Sequence, residues 1–271
     1  ETTLSEHPYA RLTPDLILRA LESAGFVCDG RLLALNSYEN RVYQIGIEDG
    51  PPVIAKFYRP GRWSKQAILE EHAFSQELAA QEIPVIAPFS DADGGSLHEL
   101  EGFLFAAYPR CGGRWPDLDT KAQRQQMGRF LGRMHAIGAT RHFQHRNRLD
   151  IATLGDASRR FVLEEKLVPD YLFDAYATLS DDLLKQIRVM FEIAGSVAQI
   201  RLHGDCHKGN ILWTDRGPHF VDLDDSCSGP AIQDIWMLLS GETEEMRIQF
   251  EELLEGYQTF YDFDRGSAIL I

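Results

Sequence analysis

The stretch RLHGDCHKGNILW, Arg201 to Trp213, places two histidines, an aspartate, a cysteine and an asparagine within eight residues. Zinc sites use such side chains, but they usually take two ligands two to four positions apart and a second pair from elsewhere in the fold. No second pair is visible in the sequence, since Cys227 stands alone and the four cysteines are widely spaced. The pattern therefore disfavours a zinc site, and the cysteines are expected to be reduced thiols.

The order of residues in this stretch favours a different chemistry. Asp205 and Asn210 lie five positions apart on a glycine-containing loop between two apolar strands, and Asp222 of FVDLDD follows twelve positions later, at the end of the next strand. Phosphoryl transfer needs a carboxylate that accepts the proton of a hydroxyl, and an amide oxygen and second carboxylate that hold Mg²⁺. Such hard oxygen ligands suit magnesium, whereas cysteine does not. The spacing therefore predicts phosphoryl transfer.

HGDCHKGNILW followed by FVDLDD resembles the catalytic and metal-binding loops of the aminoglycoside phosphotransferase and choline kinase group. The resemblance implies a two-lobed, protein-kinase-like α+β fold. It implies that Asp205 is the catalytic base, that Asn210 and Asp222 are ligands of Mg²⁺, and that Asp222 also belongs to the catalytic set. ATP is then the expected phosphate donor.

Neighbouring polar residues have supporting roles in this interpretation. The resemblance implies that His203 braces the loop and that Asp234 anchors the loop backbone, although Asp234 could instead cap the helix that starts there. His207 either faces the phosphates or substrate, or it only structures the loop. Asp224 and Asp225 either assist a second metal ion or are bracing or solvated carboxylates.

The first lobe is expected to bind the nucleotide. Lys56 of VIAKFYRP lies on a predicted strand, where the family has a lysine that contacts the α- and β-phosphates. The helix KQAILEEHAFSQEL should carry the glutamate that orients this lysine. Glu71 is our choice, with Glu70 as the alternative one position away. In FLFAAYPRCGG, the predicted hinge, backbone groups near Ala106 to Tyr108 are expected to bind adenine.

The predicted phosphate-covering loop departs from the wider kinase pattern. LNSYENRVYQI contains no glycine, although glycine lets backbone amides approach phosphate closely. Ser37 is expected to donate through its hydroxyl and its backbone N–H, while Asn36 or Asn40 tolerates a strained turn. We therefore include Ser37 in the predicted ATP-binding set.

Hydrophobic periodicity predicts two lobes joined near residues 107–115. Helices at 13–25 and 64–81 accompany short strands at 41–47, 52–58, 85–89 and 103–108. After a glycine-containing linker, helices are expected at 120–137, 180–194, 232–239 and 244–261, with short strands at 200–202, 211–213 and 219–223. We predict a nucleotide-clamping lobe at residues 1–108, a small sheet with one inserted helix, and a larger, mainly helical catalytic lobe at 109–271.

Composition and hydropathy disfavour several classes of partner. The net charge of −14 disfavours nucleic-acid binding, because phosphate backbones require basic surfaces. No apolar run approaches the roughly 18 residues of a membrane span, and the first residues lack the apolar stretch of a secretory signal. A cytoplasmic protein with neither a nucleic-acid nor a membrane partner is expected.

Several longer stretches, among them LNSYENRVYQ, KFYRPGRW and VDLDDSCSGPAIQDIWMLLSG, are similar to the bacterial stress response kinase A family. This resemblance implies a monomeric, Mg²⁺-dependent serine/threonine protein kinase that acts in stress survival, with a helical continuation after the terminal AILI. A kinase of small alcohols such as choline, homoserine or an aminoglycoside is the main alternative. A nucleotide-binding pseudokinase that regulates a partner is the third hypothesis.

Overall fold

The computed structural model describes residues 8–270. The chain separates into two compact units, the first ending at Gly113 and the second beginning at Arg114. The predicted boundary after residue 108 lies five residues earlier. The last strand of the first unit extends to Pro109, which is paired with Val53, and the next residue, Arg110, donates to the Gln44 side chain at 2.8 Å, so the chain after residue 108 stays attached to this unit.

The first unit is built on a five-stranded antiparallel sheet with the order β1-β2-β3-β5-β4. Its elements are α1 (Pro14–Ser23), β1 (Cys28–Leu35), β2 (Arg41–Ile47), β3 (Val53–Phe57), α2 (Lys65–Ala80), β4 (His98–Leu100) and β5 (Phe103–Pro109). The apolar face of α1 packs with Phe57 and Phe105 in one core cluster, whereas Ile68 of α2 belongs to a separate cluster with Tyr58 and Tyr108.

Capping side chains set the start of both helices in this unit. Thr13 accepts a hydrogen bond from the backbone N–H of Leu16 at 3.3 Å, and Ser64 accepts one from Ala67 at 3.1 Å. Both side chains satisfy donors that the first helical turn would otherwise leave unpaired. The strand predicted at 85–89 does not form beyond a single bridge position at Val85. Prolines at 84 and 88 lack the N–H that a strand ladder requires.

The second unit is mainly helical and contains two two-stranded pairings, β6 with β9 and β7 with β8. Its elements are α3 (Lys121–Gly138), a π-helix (Ile151–Ala157), α4 (Ser158–Glu164), α5 (Asp170–Ala194), β6 (Ile200–Leu202), β7 (Ile211–Thr214), β8 (Gly217–Phe220), β9 (Cys227–Gly229), α6 (Ile232–Trp236) and α7 (Thr243–Tyr257). Short 3₁₀ turns cover Lys208–Asn210, Leu223–Asp225 and Arg265–Leu270.

Several predicted boundaries in the second unit are wrong. α5 begins at Asp170 rather than at residue 180, and its first part leaves Tyr171 83% and Leu179 71% exposed. Because these apolar side chains face no core, burial periodicity does not mark this part of the helix. The predicted strand 219–223 is displaced to Gly217–Phe220, because the backbone leaves the extended region at Asp222. Helices α6 and α7 end earlier than predicted, at Trp236 and Tyr257.

Glycines allow α3 and α7 to touch backbone to backbone. A Cβ atom added to Gly128 would lie 2.0 Å from the carbonyl oxygen of Leu253, and one added to Gly132 would lie 2.3 Å from that of Tyr257. Real Cβ atoms do not approach backbone oxygens this closely, so one of the two helices would have to move. This crossing supports the catalytic unit because α3 and α7 also carry His135 and Tyr257, which are described below.

Gly132→Ala is expected to lower the free energy of unfolding by about 1–3 kcal/mol, the usual cost of overpacking. The direction of this change is informative. Alanine stabilises a helix interior by about 1 kcal/mol relative to glycine when space allows, so without a clash the substitution would raise the free energy of unfolding. Urea unfolding followed by circular dichroism measures the change. Gly112→Ala is the control, since an added Cβ there meets nothing within 4 Å. A Gly132→Ala protein as stable as the Gly112→Ala protein would contradict the steric argument.

Candidate active site

The loop between β6 and β7 carries the predicted base, and glycine is required at its tightest point. Gly204 has φ +88°, a left-handed conformation, and a Cβ atom there would lie 2.1 Å from the carbonyl oxygen of Asp225. The loop then passes Asp205 and enters the 3₁₀ turn Lys208–Asn210 that precedes β7. The H-G-D order is therefore a steric requirement as well as a chemical one.

Asp234 holds this loop through two backbone amides. Its Oδ2 accepts from the N–H of His203 at 2.8 Å, and its Oδ1 accepts from the N–H of Gly204 at 2.8 Å. Asp234 lies inside α6 and makes no N-cap, so it anchors the loop rather than capping the helix. His135 lies 3.0 Å from Asp234 Oδ2 through Nε2 and 2.8 Å from the Tyr257 hydroxyl through Nδ1.

The pKa of Asp234 reflects these contacts. Burial opposes its ionisation, but the hydrogen bond and the charge interaction with His135, together with the hydrogen bond from the Gly204 amide, hold its pKa below the ordinary value of 3.8. A carboxylate whose pKa is depressed on folding stabilises the protein above the unfolded pKa and loses that contribution as pH falls through the folded pKa.

The stability difference between the native protein and Asp234→Asn is therefore expected to be largest above about pH 5 and to shrink as the pH falls below about 4. Urea unfolding of both proteins between pH 7 and the acid limb measures this difference. Protonation removes the advantage of the carboxylate in the native protein, whereas the amide does not titrate. A difference that stays constant down to acid unfolding would mean that the Asp234 pKa is not depressed.

His203 joins the predicted base to the predicted metal ligand. Its Nε2 lies 2.9 Å from the carbonyl oxygen of Val221 and must donate to it, while its Nδ1 accepts from the backbone N–H of Asp205 at 3.3 Å. A neutral imidazole protonated on Nε2 satisfies both contacts. His203 is fully buried, so it braces the loop and is not placed to meet substrate.

Asn210 orients the carboxylate of Asp205. The Asn210 Nδ2 group donates to the backbone oxygen of Asp205 at 2.9 Å and to its carboxylate Oδ2 at 3.0 Å. The amide is thereby fixed with its nitrogen toward Asp205, which leaves the carbonyl oxygen Oδ1 as the atom that can bind a cation. The backbone N–H of Val221 donates to the backbone carbonyl oxygen of Asn210 at 3.0 Å, which brings Asp222 beside this turn.

The side-chain oxygens of Asn210 and Asp222 fit a magnesium ion better than a metal whose ligands all come from the protein. Asp222 has φ 56°, a left-handed conformation that is uncommon for residues other than glycine, and such strain concentrates at functional sites. Within residues 8–270, no group of three or more His, Cys, Asp or Glu is arranged to hold a metal. Magnesium suits the oxygens of Asn210 and Asp222, because it normally takes one or two carboxylates and completes its shell with phosphate and water.

The sequence left two roles open for His207, and its contacts match the role that structures the loop. Its Nδ1 accepts from the backbone N–H of Gly209 at 2.9 Å, and its Nε2 lies 3.5 Å from Asp205 Oδ2. The next residue, Lys208, donates through Nζ to the carbonyl of Asp117 at 3.1 Å. His207 therefore shapes the 3₁₀ turn and lies beside the predicted base.

The cysteine and one of the acidic residues near this loop are buried. Cys206 is fully buried, and desolvation, with smaller contributions from Asp234 and Asp205, raises the pKa of its thiol well above the ordinary range. Asp224 is 2% exposed, whereas Asp225 is exposed. The buried Asp224 carboxyl group is thus part of the packed segment that follows Asp222.

In the first unit, β3 and α2 bring Lys56 and Glu71 to the same aromatic side chain. Lys56 is 6% exposed with Nζ 5.2 Å from the Tyr58 ring centroid, and Glu71 is 2% exposed with Oε2 accepting from the Tyr58 hydroxyl at 3.5 Å. Glu70 is only half-buried. This difference in burial favours Glu71 over Glu70 as the partner of Lys56.

A buried polar cluster around Tyr58 was not predicted from the sequence. The Tyr58 hydroxyl lies 2.7 Å from His72 Nε2 and 2.9 Å from the Tyr108 hydroxyl, and His72 Nδ1 lies 2.9 Å from Ser96 Oγ. The H in EEHAF, directly after Glu71, was the one available signal, since histidine is seldom fully buried without polar partners.

The predicted phosphate-covering loop is less strained than expected. Ser37 Oγ donates to the Asn40 carbonyl at 2.8 Å, and Asn40 Oδ1 accepts from the backbone N–H of Arg59 at 3.2 Å. No residue from 36 to 40 has a positive φ, so the loop does not use the tolerance of a strained turn that Asn36 or Asn40 offers. The hydrogen bonds of Ser37 and Asn40 shape the loop without such a conformation.

The predicted hinge residues lie inside β5. Ala106 is paired with Lys56 and Tyr108 with Ile54, and the carbonyl between them, that of Ala107, accepts from Phe89 at 2.8 Å. The strand and its pairing with β3 end at Pro109. The Tyr108 side chain belongs to the buried cluster around Tyr58, a position that the sequence did not indicate.

Comparison with known proteins identifies the family. Residues 31–269 match the model of the APH phosphotransferase enzyme family. The chain belongs to this family. Stress response kinase A of Escherichia coli K12 is 43% identical over 267 residues, which cover 98% of this chain and 80% of the relative. Serine/threonine protein kinase RdoA of Salmonella typhimurium is 42% identical over 97% of this chain and 79% of the relative.

Solved structures of phosphotransferases have the same fold. Amicoumacin kinase hAmiN aligns with a TM-score of 0.75 at 21% identity over 92% of this chain and 79% of its own. A microcompartment-associated aminopropanol kinase aligns with a TM-score of 0.69 at 18% identity over 93% and 83%. The predicted family, the α+β fold class and the assignment as a phosphotransferase of the kinase type are confirmed. In residues 8–270 of this phosphotransferase, no helix has the length and apolarity to cross a membrane.

Proposed function

We propose that this phosphotransferase transfers the γ-phosphate of ATP to serine or threonine hydroxyls of a protein, with Asp205 as the catalytic base. The contact that carries the proposal is the pair of hydrogen bonds from Asn210 Nδ2 to Asp205, one of them to the carboxylate at 3.0 Å. The carboxylate is thereby held in one orientation, and 36% of the Asp205 side chain remains exposed to an incoming hydroxyl.

The residues of the second unit are assigned two roles, that of the catalytic base and that of the metal ligands. Asp205 accepts the proton of the attacking hydroxyl through the oxygen that Asn210 leaves accessible. Asn210 Oδ1 and Asp222 are the proposed magnesium ligands, and the metal, when bound, neutralises charge on the phosphates. Asp234 and His203 keep the loop backbone in place during this step.

The residues of the first unit are assigned to the nucleotide. Lys56 is the proposed ligand of the α- and β-phosphates, with Glu71 orienting it. Ser37 is proposed to contact phosphate, and the backbone from Ala106 to Tyr108 is proposed to contact adenine. Burial of both Lys56 and Glu71 against Tyr58 supports a functional pair, because buried charges are seldom kept without a partner.

The protein acceptor is supported by the names of the relatives that are similar over nearly the whole chain, among them a serine/threonine protein kinase. A small alcohol is the second candidate, because the solved structures with this fold include an amicoumacin kinase and an aminopropanol kinase. The net charge of −14 suits a cationic acceptor of either kind. A monomeric state and a cytoplasmic location form part of the proposal.

The acceptor is tested with Mg²⁺ and γ-labelled ATP, a basic protein rich in serine and threonine, and a panel of aminopropanol, choline, homoserine and an aminoglycoside. Label on the protein that is absent with Asp205→Asn is the expected result. Transfer only to a small alcohol would replace the protein acceptor by the second candidate. Tight ATP binding without transfer to any acceptor would contradict catalysis and favour a regulatory pseudokinase.

A further inference from the structure

The segment that follows Asp222 is held from two sides within the second unit. On one side, β9 pairs with β6, with Cys227 opposite Leu202. On the other side, the backbone N–H of Ser228 donates to the Asn147 carbonyl at 2.9 Å, and the N–H of Leu149 donates to the Ser228 carbonyl at 2.8 Å. The loop before the π-helix thus forms a second backbone attachment for this segment.

Arg146, from the same loop, reaches the turn beside Asp222 itself. Its side chain is buried at 6% exposure, its Nε donates to the Ser226 carbonyl at 2.8 Å, and its Nη2 donates to the Asp224 carbonyl. The Asp224 carbonyl lies within the turn Leu223–Asp225 that begins directly after Asp222, and the Ser226 carbonyl follows directly after this turn. A guanidinium group is suited to this contact, because its planar fork can donate to two acceptors at once.

The hydroxyl side chains of this segment are inaccessible. The residues between Asp222 and α6 include two serines, Ser226 and Ser228, which are 0% and 5% exposed. Neither hydroxyl could be phosphorylated without opening the segment. Many kinases pair a cationic side chain with a phosphorylated loop, whereas Arg146 donates to backbone carbonyls of this segment.

We propose that Arg146 is a positioning residue that holds the turn after Asp222 in its metal-binding conformation, so that the enzyme needs no phosphorylation of this segment. The inference rests on the proposed role of Asp222 as a magnesium ligand. Arg146 acts through the carbonyls of Asp224 and Ser226, to which its guanidinium group donates. Residues that support a metal ligand typically change metal affinity or activity by about 10- to 100-fold when they are replaced.

Arg146→Lys keeps the charge but removes the fork, and Arg201→Lys is the matched control. Arg201 is also buried, and it also donates to two carbonyls, those of Ile137 at 2.9 Å and Gly138 at 3.3 Å, which belong to the end of α3 rather than to the turn after Asp222. Both variants are expected to lower the unfolding temperature. Only Arg146→Lys is expected to raise the Mg²⁺ concentration for half-maximal rate, by about 10-fold or more.

A binding measurement separates this effect from catalysis. The affinity of Mn²⁺ in the presence of a non-hydrolysable ATP analogue should fall for Arg146→Lys by the same factor and remain unchanged for Arg201→Lys. Equal metal affinities in the two variants and the native protein would reduce Arg146 to a structural residue and overturn the inference. Asp222→Ala tests the underlying function, because unchanged metal affinity in that variant would remove Asp222 as a ligand whatever Arg146 does.

The native protein provides a test that does not depend on a variant folding. Hydrogen exchange should show the amides of residues 224–228 protected before any metal or nucleotide is added, and without phosphorylation, because Arg146 holds the segment in advance. Protection that arises only after Mg²⁺ and the ATP analogue are added would contradict a preformed turn.

Discussion

Asp205→Ala is expected to lower kcat for phosphoryl transfer by about 10²- to 10⁴-fold, the usual contribution of a general base. The KM for ATP should change little, since the nucleotide phosphates are assigned to Lys56 and to the metal ligands. The Asn210 amide would lose its carboxylate acceptor but keep the Asp205 carbonyl at 2.9 Å, so the fold of the loop should persist. Steady-state kinetics with labelled ATP, together with circular dichroism, measure both effects.

Asp215→Ala is the matched control for this experiment. Asp215 lies only ten positions further along the chain, in the exposed turn between β7 and β8, so its loss removes the same charge from the same unit. Its kcat should equal that of the native enzyme. If Asp205→Ala retained more than about a tenth of the native kcat, a loss far smaller than general-base catalysis provides, Asp205 would not be the base.

Asp234→Ala is expected to reduce the free energy of unfolding by about 3–5 kcal/mol, the range found when one partner of a buried ionic network is removed. The carboxylate accepts from two backbone amides, those of His203 and Gly204, and contacts His135 at 3.0 Å. Alanine would leave these buried groups unsatisfied, which costs more than the lost bonds themselves. Catalysis should fall as well, because the loop that carries Asp205 loses its anchor.

Urea unfolding at neutral pH measures this loss, with Asp262→Ala as the control. Asp262 is exposed and lies after α7, so its replacement should change stability by less than about 0.5 kcal/mol, as is usual for surface sites. A loss below about 1 kcal/mol in Asp234→Ala, the size of a single ordinary hydrogen bond, would mean that water or a rearranged loop replaces the carboxylate.

The sequence alone identified the features that depend on near neighbours in the chain. The five positions between Asp205 and Asn210 are bridged by one tight turn, so their order was sufficient to predict a phosphoryl-transfer loop. The caps Thr13 and Ser64 begin their helices for equally local reasons. The family and fold class followed from these motifs and are confirmed by the match over residues 31–269.

The tertiary structure alone decided which distant residues support the site. His135 meets Tyr257 across 122 positions and Asp234 across 99, and Arg146 meets Ser226 across 80. No period or spacing in a single sequence encodes such pairs, because they form only when α3, α6, α7 and the intervening loops pack together. The left-handed backbone conformation at Asp222 was likewise decided by the tertiary structure and not by the sequence. The motif therefore specified the chemistry, whereas packing determined how its residues are held.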